Sequence, residues 1–309
     1  PDVPHALHMP THIFTRPDIW NDSIDWNTRS ASAALKYPVN GSISHHYLHA
    51  LDYLIYAYLQ GAEDAKAKAV LEQMHEKDNY QQTFVTGYAL AALPARYTLE
   101  RKQWRHAAGL ELPARDSFPW GDFPEVEAII HYARGLGAAR AGNAAGAREA
   151  LSALDAIHTR LVEAGQRYWG VLVDAQRKTV AAWLDFSEDR KDSAIQLMEE
   201  AARLEESVDK NPVTPGSVLP ARELPGEMLL QSGNAGKAIK AFETSLETAP
   251  NRFNSLYGAG LAAERKGDRE SAKSYYDNLA QISARADGDR PELAHAHRFL
   301  RTGINQHEK

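Results

Sequence analysis

Two adjacent segments near the C-terminus repeat one pattern at an interval of 34 residues, and this repeat constrains the fold more than any other feature. The segments are PARELPGEMLLQSGNAGKAIKAFETSLETAP and NRFNSLYGAGLAAERKGDRESAKSYYDNLAQ. The matching residues are Gly226 and Gly260, Gly233 and Gly267, Asn234 and Asp268, Ala238 and Ala272, and Phe242 and Tyr276. An internal period of this length is typical of stacked helical hairpins.

Each repeated residue type has a structural reason in an antiparallel helix pair. The glycine followed by Asn or Asp forms the turn between the two helices. The small residues let the helices cross closely, and the aromatic residue fills the space between repeats. This is the tetratricopeptide pattern, and further copies occur upstream, for example in RGLGAARAGNAAGAREAL and FSEDRKDSAIQLMEEA.

The pattern predicts an all-α protein, a tetratricopeptide-like α-solenoid of about seven antiparallel helix pairs that forms a right-handed superhelix. We expect one solenoid over residues 1–309. The approximate repeats are residues 4–34, 46–78, 80–112, 128–161, 175–208, 219–252 and 253–286, with a C-terminal helix at 290–303.

Three stretches interrupt the period and are predicted to be loops. They are ALKYPVNGSIS (34–44), LELPARDSFPWGDFPE (110–125) and DKNPVTPGSVLPAREL (209–224), which we name the Pro-rich insert. Their proline, glycine and aspartate content is incompatible with regular helix. Long insertions in a solenoid commonly contribute to a binding face.

The composition excludes several functional classes. A net charge of −6 without a basic stripe gives no electrostatic footprint for nucleic acid. The absence of cysteine excludes disulfides and thiolate metal sites. No apolar run approaches ~18 residues, so the sequence predicts no membrane span.

Three histidines lie close together in PHALHMPTHIFTR (4–16). If Asp18 occupies the turn of the first repeat, His5, His8 and His12 take positions in its first helix that share an arc of about 60°. In this architecture that helix face lines the concave inner surface. Pro10 predicts a kink, which would bring the ring nitrogens closer together.

The segment SHHYLHALDY repeats this spacing in the second repeat. His46, His49 and Tyr53 follow the same intervals as the three N-terminal histidines. Neighbouring helices of a solenoid pack about 8–10 Å apart, so we expect imidazoles from both helices to converge.

Two interpretations of this cluster remain open. In the first, neutral imidazoles bind Zn, Cu, Ni or Fe and leave one position open, with Asp52 or Asp25 orienting a ring. The candidate metal ligands are His5, His8, His12, His46 and His49. In the second, the histidines form a polar network or a ligand pocket without metal, and satisfy carbonyl groups that Pro10 frees. The spacing matches no known zinc signature.

A few other residues are candidates for the same surface. Tyr53, Tyr56, His131 and Arg222 complete the candidate ligand-binding residues with the five histidines. His131 follows Glu127 by four residues, which is more typical of a surface ion pair. Arg222 either anchors the Pro-rich insert or contacts a ligand. His295 and His297 are expected to be solvated.

PHALHMPTHIFTR, HALDYLIYAYLQ and NPVTPGSVLPARELPGEMLL together resemble a broad family of bacterial tetratricopeptide proteins. The strings HALHMP-x-HIF and PVTPG-x-VLPAREL carry the resemblance, which covers nearly the whole chain and implies an α-solenoid but no particular activity. Family members carry a further N-terminal region with an HPG-x2-HY-x2-H-like segment. The resemblance therefore implies that this chain, which begins at Pro1, is the C-terminal part of a longer protein. It leaves a cytoplasmic and an exported location open. Pro17 stands where the family usually has leucine.

The leading functional hypothesis is a binding module that holds a peptide, a protein partner or a small ligand on a His/Tyr-lined concave surface. The alternative is a metal-binding protein or metal-dependent enzyme that uses the N-terminal histidines, with Asp52 or Glu127 as a base. A scaffold without any ligand is the third. The chain has no phosphate loop and no nucleophile elbow, so an enzyme is not the favoured interpretation.

Overall fold

The computed structural model describes residues 3–14, 20–112 and 118–304. The turn predicted around Asp18, with Pro17, lies outside these residues, as does part of the loop predicted at 110–125. No helix in the described ranges combines the length and the apolar composition that a bilayer crossing requires.

Sixteen α-helices run through the described residues, which contain two isolated bridges but no β-strand. The helices are α1 (Pro4–His8), α2 (Thr11–Phe14), α3 (Trp20–Lys36), α4 (His45–Gln60), α5 (Asp64–His75), α6 (Phe84–Glu100), α7 (Trp104–Ala108), α8 (Pro124–Arg140), α9 (Ala144–Glu163), α10 (Arg167–Ser187), α11 (Lys191–Glu206), α12 (Leu224–Gln231), α13 (Ala235–Thr248), α14 (Phe253–Lys266), α15 (Arg269–Ile282) and α16 (Pro291–Ile304). Short 3-10 turns precede α8 and α12. The prediction of an all-α, tetratricopeptide-like fold is confirmed.

The turns within the C-terminal hairpins have the chemistry that the repeat predicts. Gly233 and Gly267 have φ angles of 79° and 83°, in the left-handed region that only glycine enters without a steric cost. The next residue, Asn234 or Asp268, accepts a hydrogen bond from the backbone N–H three residues further on. Each turn therefore ends one helix and caps the next.

Aromatic rings pack against glycines where these hairpins cross. A Cβ atom at Gly226 would lie 2.8 Å from the ring of Phe242, and one at Gly258 only 2.3 Å from the same ring. A Cβ atom at Gly260 would lie 2.5 Å from Tyr276. Both rings are buried. Glycine at these positions therefore sets the spacing between α12, α13, α14 and α15.

Successive hairpins stack side by side. α8 packs against α9 and α10, and α10 packs against α11. Further along, α13 packs against α12 and α14. One continuous hydrophobic core extends from α6 to α12.

The last hairpins also contact the first ones through buried ion pairs. Arg290, just before α16, lies 2.6 Å from the carboxylate of Asp64 at the start of α5. Arg252, just before α14, lies 2.8 Å from Glu100 at the end of α6. All four side chains are almost fully buried. These pairs join residues that lie far apart in the sequence and link the last hairpins to α5 and α6.

The Pro-rich insert packs against α4 and α6. We name the sides of these two helices that face the insert the inner surface. The Tyr53 hydroxyl of α4 donates to the Thr214 carbonyl (3.1 Å), and Arg96 of α6 donates to the Ser217 carbonyl (2.8 Å). Leu219 of the insert is buried in the core. The insert therefore lies directly against Tyr53, one of the residues predicted to line a binding surface.

Candidate functional site

The N-terminal histidine segment is interrupted at Pro10. The sequence predicts a kinked helix, but α1 ends at His8 and α2 begins at Thr11, because proline has no N–H to continue the helix. The Thr11 hydroxyl donates to the His8 carbonyl at 2.7 Å. Across this break the imidazole rings of His8 and His12 lie 4.6 Å apart between centroids.

Helix α4 supplies the opposite side of the cluster. Ser44 caps the start of this helix by accepting a backbone N–H. His49 and Tyr53 then lie one turn apart and are buried. The ring of His8 lies 4.1 Å from the ring of His49 and 4.5 Å from that of Tyr53. The two segments with the same histidine spacing therefore face each other.

Hydrogen bonds from α3 fix the tautomer of His8. The Asn27 amide nitrogen donates to the Ser23 carbonyl at 2.8 Å, which leaves the Asn27 amide oxygen directed at His8. That oxygen lies 2.7 Å from His8 Nδ1. Because an amide oxygen only accepts, Nδ1 carries the proton, and Nε2 of His8 presents a lone pair.

Tyr53 holds His12 in place from the other side. Its hydroxyl donates to the Thr214 carbonyl at 3.1 Å. The hydroxyl oxygen lies 2.9 Å from His12 Nδ1. Nε2 of His12 therefore faces away from Tyr53, toward His8. Through Tyr53, His12 is linked to the Pro-rich insert.

Ring nitrogens of three histidines converge on one point. Nε2 of His8 lies 3.0 Å from Nε2 of His12. Within the described ranges, one ring nitrogen of His49 completes a group of three in which all atoms lie within 4.8 Å of one another. The buried Nδ1 of His49 has no hydrogen-bond partner among these residues. Two nitrogens bound to one tetrahedral ion at 2.0–2.1 Å lie about 3.3 Å apart, close to the spacing found.

The surroundings favour neutral imidazoles. Burial lowers the pKa of His8 to about 3 and lowers the pKa of His49 well below its ordinary value, with nearby histidines adding to both effects. Burial and the nearby Lys210 also lower the pKa of His12. Neutral imidazole is the form that binds metal ions.

The other two predicted metal ligands form a neighbouring pair. The rings of His5 and His46 lie 5.3 Å apart, and the ring of His46 lies 4.4 Å from that of His45. Burial lowers the pKa of His46 to about 4. Of the five predicted ligands, the structure brings three into one group and two into contact beside it.

Two more candidates for the inner surface have partners within the fold. Tyr56 is buried, with its ring 5.2 Å from the guanidinium carbon of Arg96. His131 lies on α8 at 3.6 Å from Glu127, in the ion-pair arrangement that the spacing predicts. Tyr53 and Tyr56 are therefore core residues and do not present an exposed surface to a partner.

The remaining candidates lie elsewhere in the array. Arg222 donates to Glu206 (2.7 Å) and Glu199 (2.8 Å) of α11, which ties the end of the Pro-rich insert to that helix. Of the two histidines expected to be solvated, His297 is exposed. His295 is only partly exposed, because α16 packs against α14 and α15 and its ring lies 3.3 Å from the Tyr257 hydroxyl.

Sequence reasoning missed the groups that orient the histidines. Of the carboxylates expected in this role, Asp25 is exposed and Asp52 pairs with Arg96 at 3.2 Å. The orienting groups are instead Asn27 and, through Tyr53, the carbonyl of Thr214. The available signal for the first was a row of polar residues at helical spacing, Ser23, Asn27 and Ser30, within a segment that periodicity predicts to be helical.

No protein-family model and no curated protein matches this chain. Among solved structures, a tetratricopeptide repeat protein from Parabacteroides merdae is similar over 96% of this chain and 97% of its own, with 14% identity and a TM-score of 0.48. The Cut9–Hcn1 hetero-tetramer of the APC/C is similar over 93% of this chain and 52% of its own, with 13% identity and a TM-score of 0.35. The function of this chain is therefore inferred from its own contacts.

Proposed function

We propose that the protein is a tetratricopeptide-like scaffold that binds one transition-metal ion between His8, His12 and His49. Imidazole nitrogens suit Zn, Cu, Ni and Fe, which are the ions expected in such a site. With three protein ligands, a four-coordinate ion keeps one position for water or a small ligand. The ligand of this binding module would then be a metal ion together with a small molecule.

The observation that carries this proposal is the convergence of three ring nitrogens, one each from His8, His12 and His49, all within 4.8 Å of one another. Nε2 of His8 and Nε2 of His12 are 3.0 Å apart, a spacing close to that of two ligands on one ion. The Asn27 amide oxygen holds the ring proton of His8 on Nδ1, so Nε2 of His8 can bind the ion. Metal-bound histidines commonly donate their second N–H to a fixed acceptor, as His8 does here.

The third proposed ligand, His49, is buried with one ring nitrogen unsatisfied by the described part of the chain. His49 is 7% exposed, and its Nδ1 has no hydrogen-bond partner among the described residues. A buried polar atom without a partner costs free energy that a bound ligand can offset.

The Pro-rich insert is the reason to prefer a metal ion with a small ligand over a peptide. A peptide on the inner surface would have to displace the carbonyls of Thr214 and Ser217 from Tyr53 and Arg96. It would also expose Leu219, which is buried in the core.

Zinc binding to the untagged, metal-free chain tests the proposal. Titration of Zn2+ against a competing chromophoric chelator should give one ion per chain. Loss of a group that only hydrogen-bonds to a metal ligand typically weakens metal binding by roughly 10- to 100-fold. His12→Gln removes a ligand itself and should weaken zinc binding by more than this. His131→Gln, a matched change of a histidine paired with Glu127, should leave binding unchanged.

A spectroscopic measurement on the unaltered chain removes any dependence on how well the variants fold. Co2+ in place of Zn2+ should give the intense visible absorption of a four-coordinate ion with nitrogen ligands. No uptake by the wild-type chain would overturn the proposal, as would equal binding by a folded His12→Gln variant. The weak absorption of a six-coordinate cobalt ion would also count against it.

A further inference from the structure

A cavity lined partly by the Pro-rich insert contains none of the clustered histidines in its wall. Its volume is about 170 Å³, and it is bounded by α6, α8, α10, the end of α11 and the insert. Aromatic rings form much of its wall: Tyr88, Tyr132, Tyr168 and Trp169.

Hydrogen bonds to the insert hold two of these rings in place. The Tyr168 hydroxyl donates to the Asp209 carbonyl at 3.0 Å, and the Tyr132 hydroxyl lies 3.5 Å from the Leu219 carbonyl. The rings are therefore fixed before any ligand enters. Aromatic faces carry negative charge density and attract cations.

Two oxygen atoms in the cavity wall receive no hydrogen bond from the described residues. Oε2 of Glu125 and Oε1 of Gln176 are both buried, and neither has a hydrogen-bond partner among the described residues. The amide oxygen and an ionised carboxylate oxygen only accept hydrogen bonds, so a ligand that satisfies both must supply N–H or O–H groups. Burial raises the pKa of Glu125, and a positively charged donor beside its unpartnered Oε2 would favour the ionised form.

The charged residues of the cavity wall also favour a positively charged ligand. Glu125 and Glu205 line the cavity together with Asp209, and Lys210 is the one cation among the described lining residues. Lys210 is already directed to the Thr214 carbonyl at 2.7 Å. Burial raises the pKa of Glu205 to about 7, so a bound cation would stabilise its ionised form near neutral pH.

We infer that this cavity binds a small primary-amine cation with an apolar body, the ammonium group contacting Glu125 and Gln176 and the apolar part contacting the aromatic rings. The volume of the cavity is appropriate for such a ligand, because a cavity of about 150 Å³ holds benzene. This inference does not depend on metal binding, since none of the three proposed metal ligands lines the cavity.

Calorimetric titration of the full chain with phenethylamine and butylamine tests the inference, with 2-phenylethanol as the neutral counterpart of phenethylamine. At least one amine should bind, and the alcohol should bind about tenfold or more weakly because it lacks the charge. Glu125→Gln should weaken amine binding by roughly 10- to 100-fold, as expected for a charge-assisted hydrogen bond. Gln176→Leu removes the other acceptor and should also weaken it.

The matched control is Glu149→Gln, the same change at a carboxylate on α9 that is 76% exposed. It should leave amine binding unchanged. Equal binding of phenethylamine and 2-phenylethanol would show an apolar cavity without cation preference and would overturn the inference. Absence of binding by both amines would overturn it, and so would unchanged affinity in folded Glu125→Gln and Gln176→Leu variants.

Discussion

Replacement of Arg96 by methionine should destabilise the fold and loosen the Pro-rich insert. The Arg96 guanidinium donates to Asp52 (3.2 Å) and to the carbonyls of Ser217 (2.8 Å) and Gly216 (3.3 Å). Arg96 is 0% exposed and Asp52 is 1% exposed, so no water can take over these bonds. Methionine fills much of the same space but donates nothing.

The expected loss in the free energy of unfolding follows from the Asp52 carboxyl group, which stays buried without its partner. Removing one partner of a buried ion pair typically costs about 3–5 kcal/mol, because the other charge stays buried without compensation. In the double variant Arg96→Met/Asp52→Asn that charge is also removed. The double variant should therefore be more stable than the single variant by about 1 kcal/mol or more.

Urea unfolding followed by far-UV circular dichroism measures both effects, and limited proteolysis shows whether cleavage within 209–220 becomes faster. A loss of less than about 1 kcal/mol in Arg96→Met would refute the reasoning, since it would mean that the pair contributes no more than an exposed one. A double variant less stable than the single variant would also refute it.

The pH dependence of this destabilisation gives a further check. Burial raises the pKa of Asp52 above its unfolded value even beside Arg96. A carboxyl group with a raised folded-state pKa stabilises the fold fully below its unfolded pKa, and this contribution is lost as pH rises through the folded pKa. Removal of Arg96 raises the pKa of Asp52 further. The destabilisation should therefore be larger at about pH 7 than at about pH 4.

Three other predictions address the histidine cluster and the hairpin packing. Burial lowers the pKa of His8 to about 3, so neutral His8 contributes fully to the stability of the metal-free chain above about pH 6.5, and this contribution falls as pH drops toward the folded pKa. Urea unfolding at a series of pH values should show the free energy of unfolding fall in this range. The fall should be smaller in His8→Gln. Asn27→Ala should lower zinc affinity by roughly 10- to 100-fold, and an unchanged affinity would mean that its bond to the ring has no effect on the metal. Gly258→Ala should cost about 1–3 kcal/mol because its Cβ would lie 2.3 Å from Phe242. Gly236→Ala, where no atom lies within 4 Å of the added Cβ, should instead raise the melting temperature; the reverse order would contradict the packing argument.

The hairpins could be predicted because their signals are local and periodic. Gly233 with Asn234 and Gly267 with Asp268 encode a turn and a cap within two residues, and Phe242 recurs as Tyr276 one repeat later. Such short-range patterns determine helix pairs independently of the rest of the chain. The direct contact of Phe242 with a glycine of the following repeat was not evident from the pattern.

The convergence of histidines also follows from helix periodicity. His8 and His49 occupy equivalent places in segments with the same spacing, and their rings lie 4.1 Å apart. Periodicity determines which side chains share a face, but it contains no information about which group orients a ring. The roles of Asn27 and Tyr53 are therefore visible only in the structure.

The course of the Pro-rich insert could not be predicted from the sequence. It has no regular period, and its anchors come from other helices: Tyr53 bonds to a residue 161 positions away and Arg96 to one 121 positions away. The ion pair between Arg252 and Glu100 spans 152 positions in the same way. Contacts at such separations do not affect the local sequence pattern, so the sequence predicted the insert as a loop but not the helices that it contacts.

X-ray absorption spectroscopy at the zinc edge of the untagged, zinc-loaded chain tests the proposed metal site most directly. The fine structure reports the number and type of atoms bound to the ion. We predict three imidazole nitrogens at about 2.0–2.1 Å and one further light atom. A zinc ion bound by one imidazole or none, with the remaining ligands oxygen, would contradict the assignment of His8, His12 and His49.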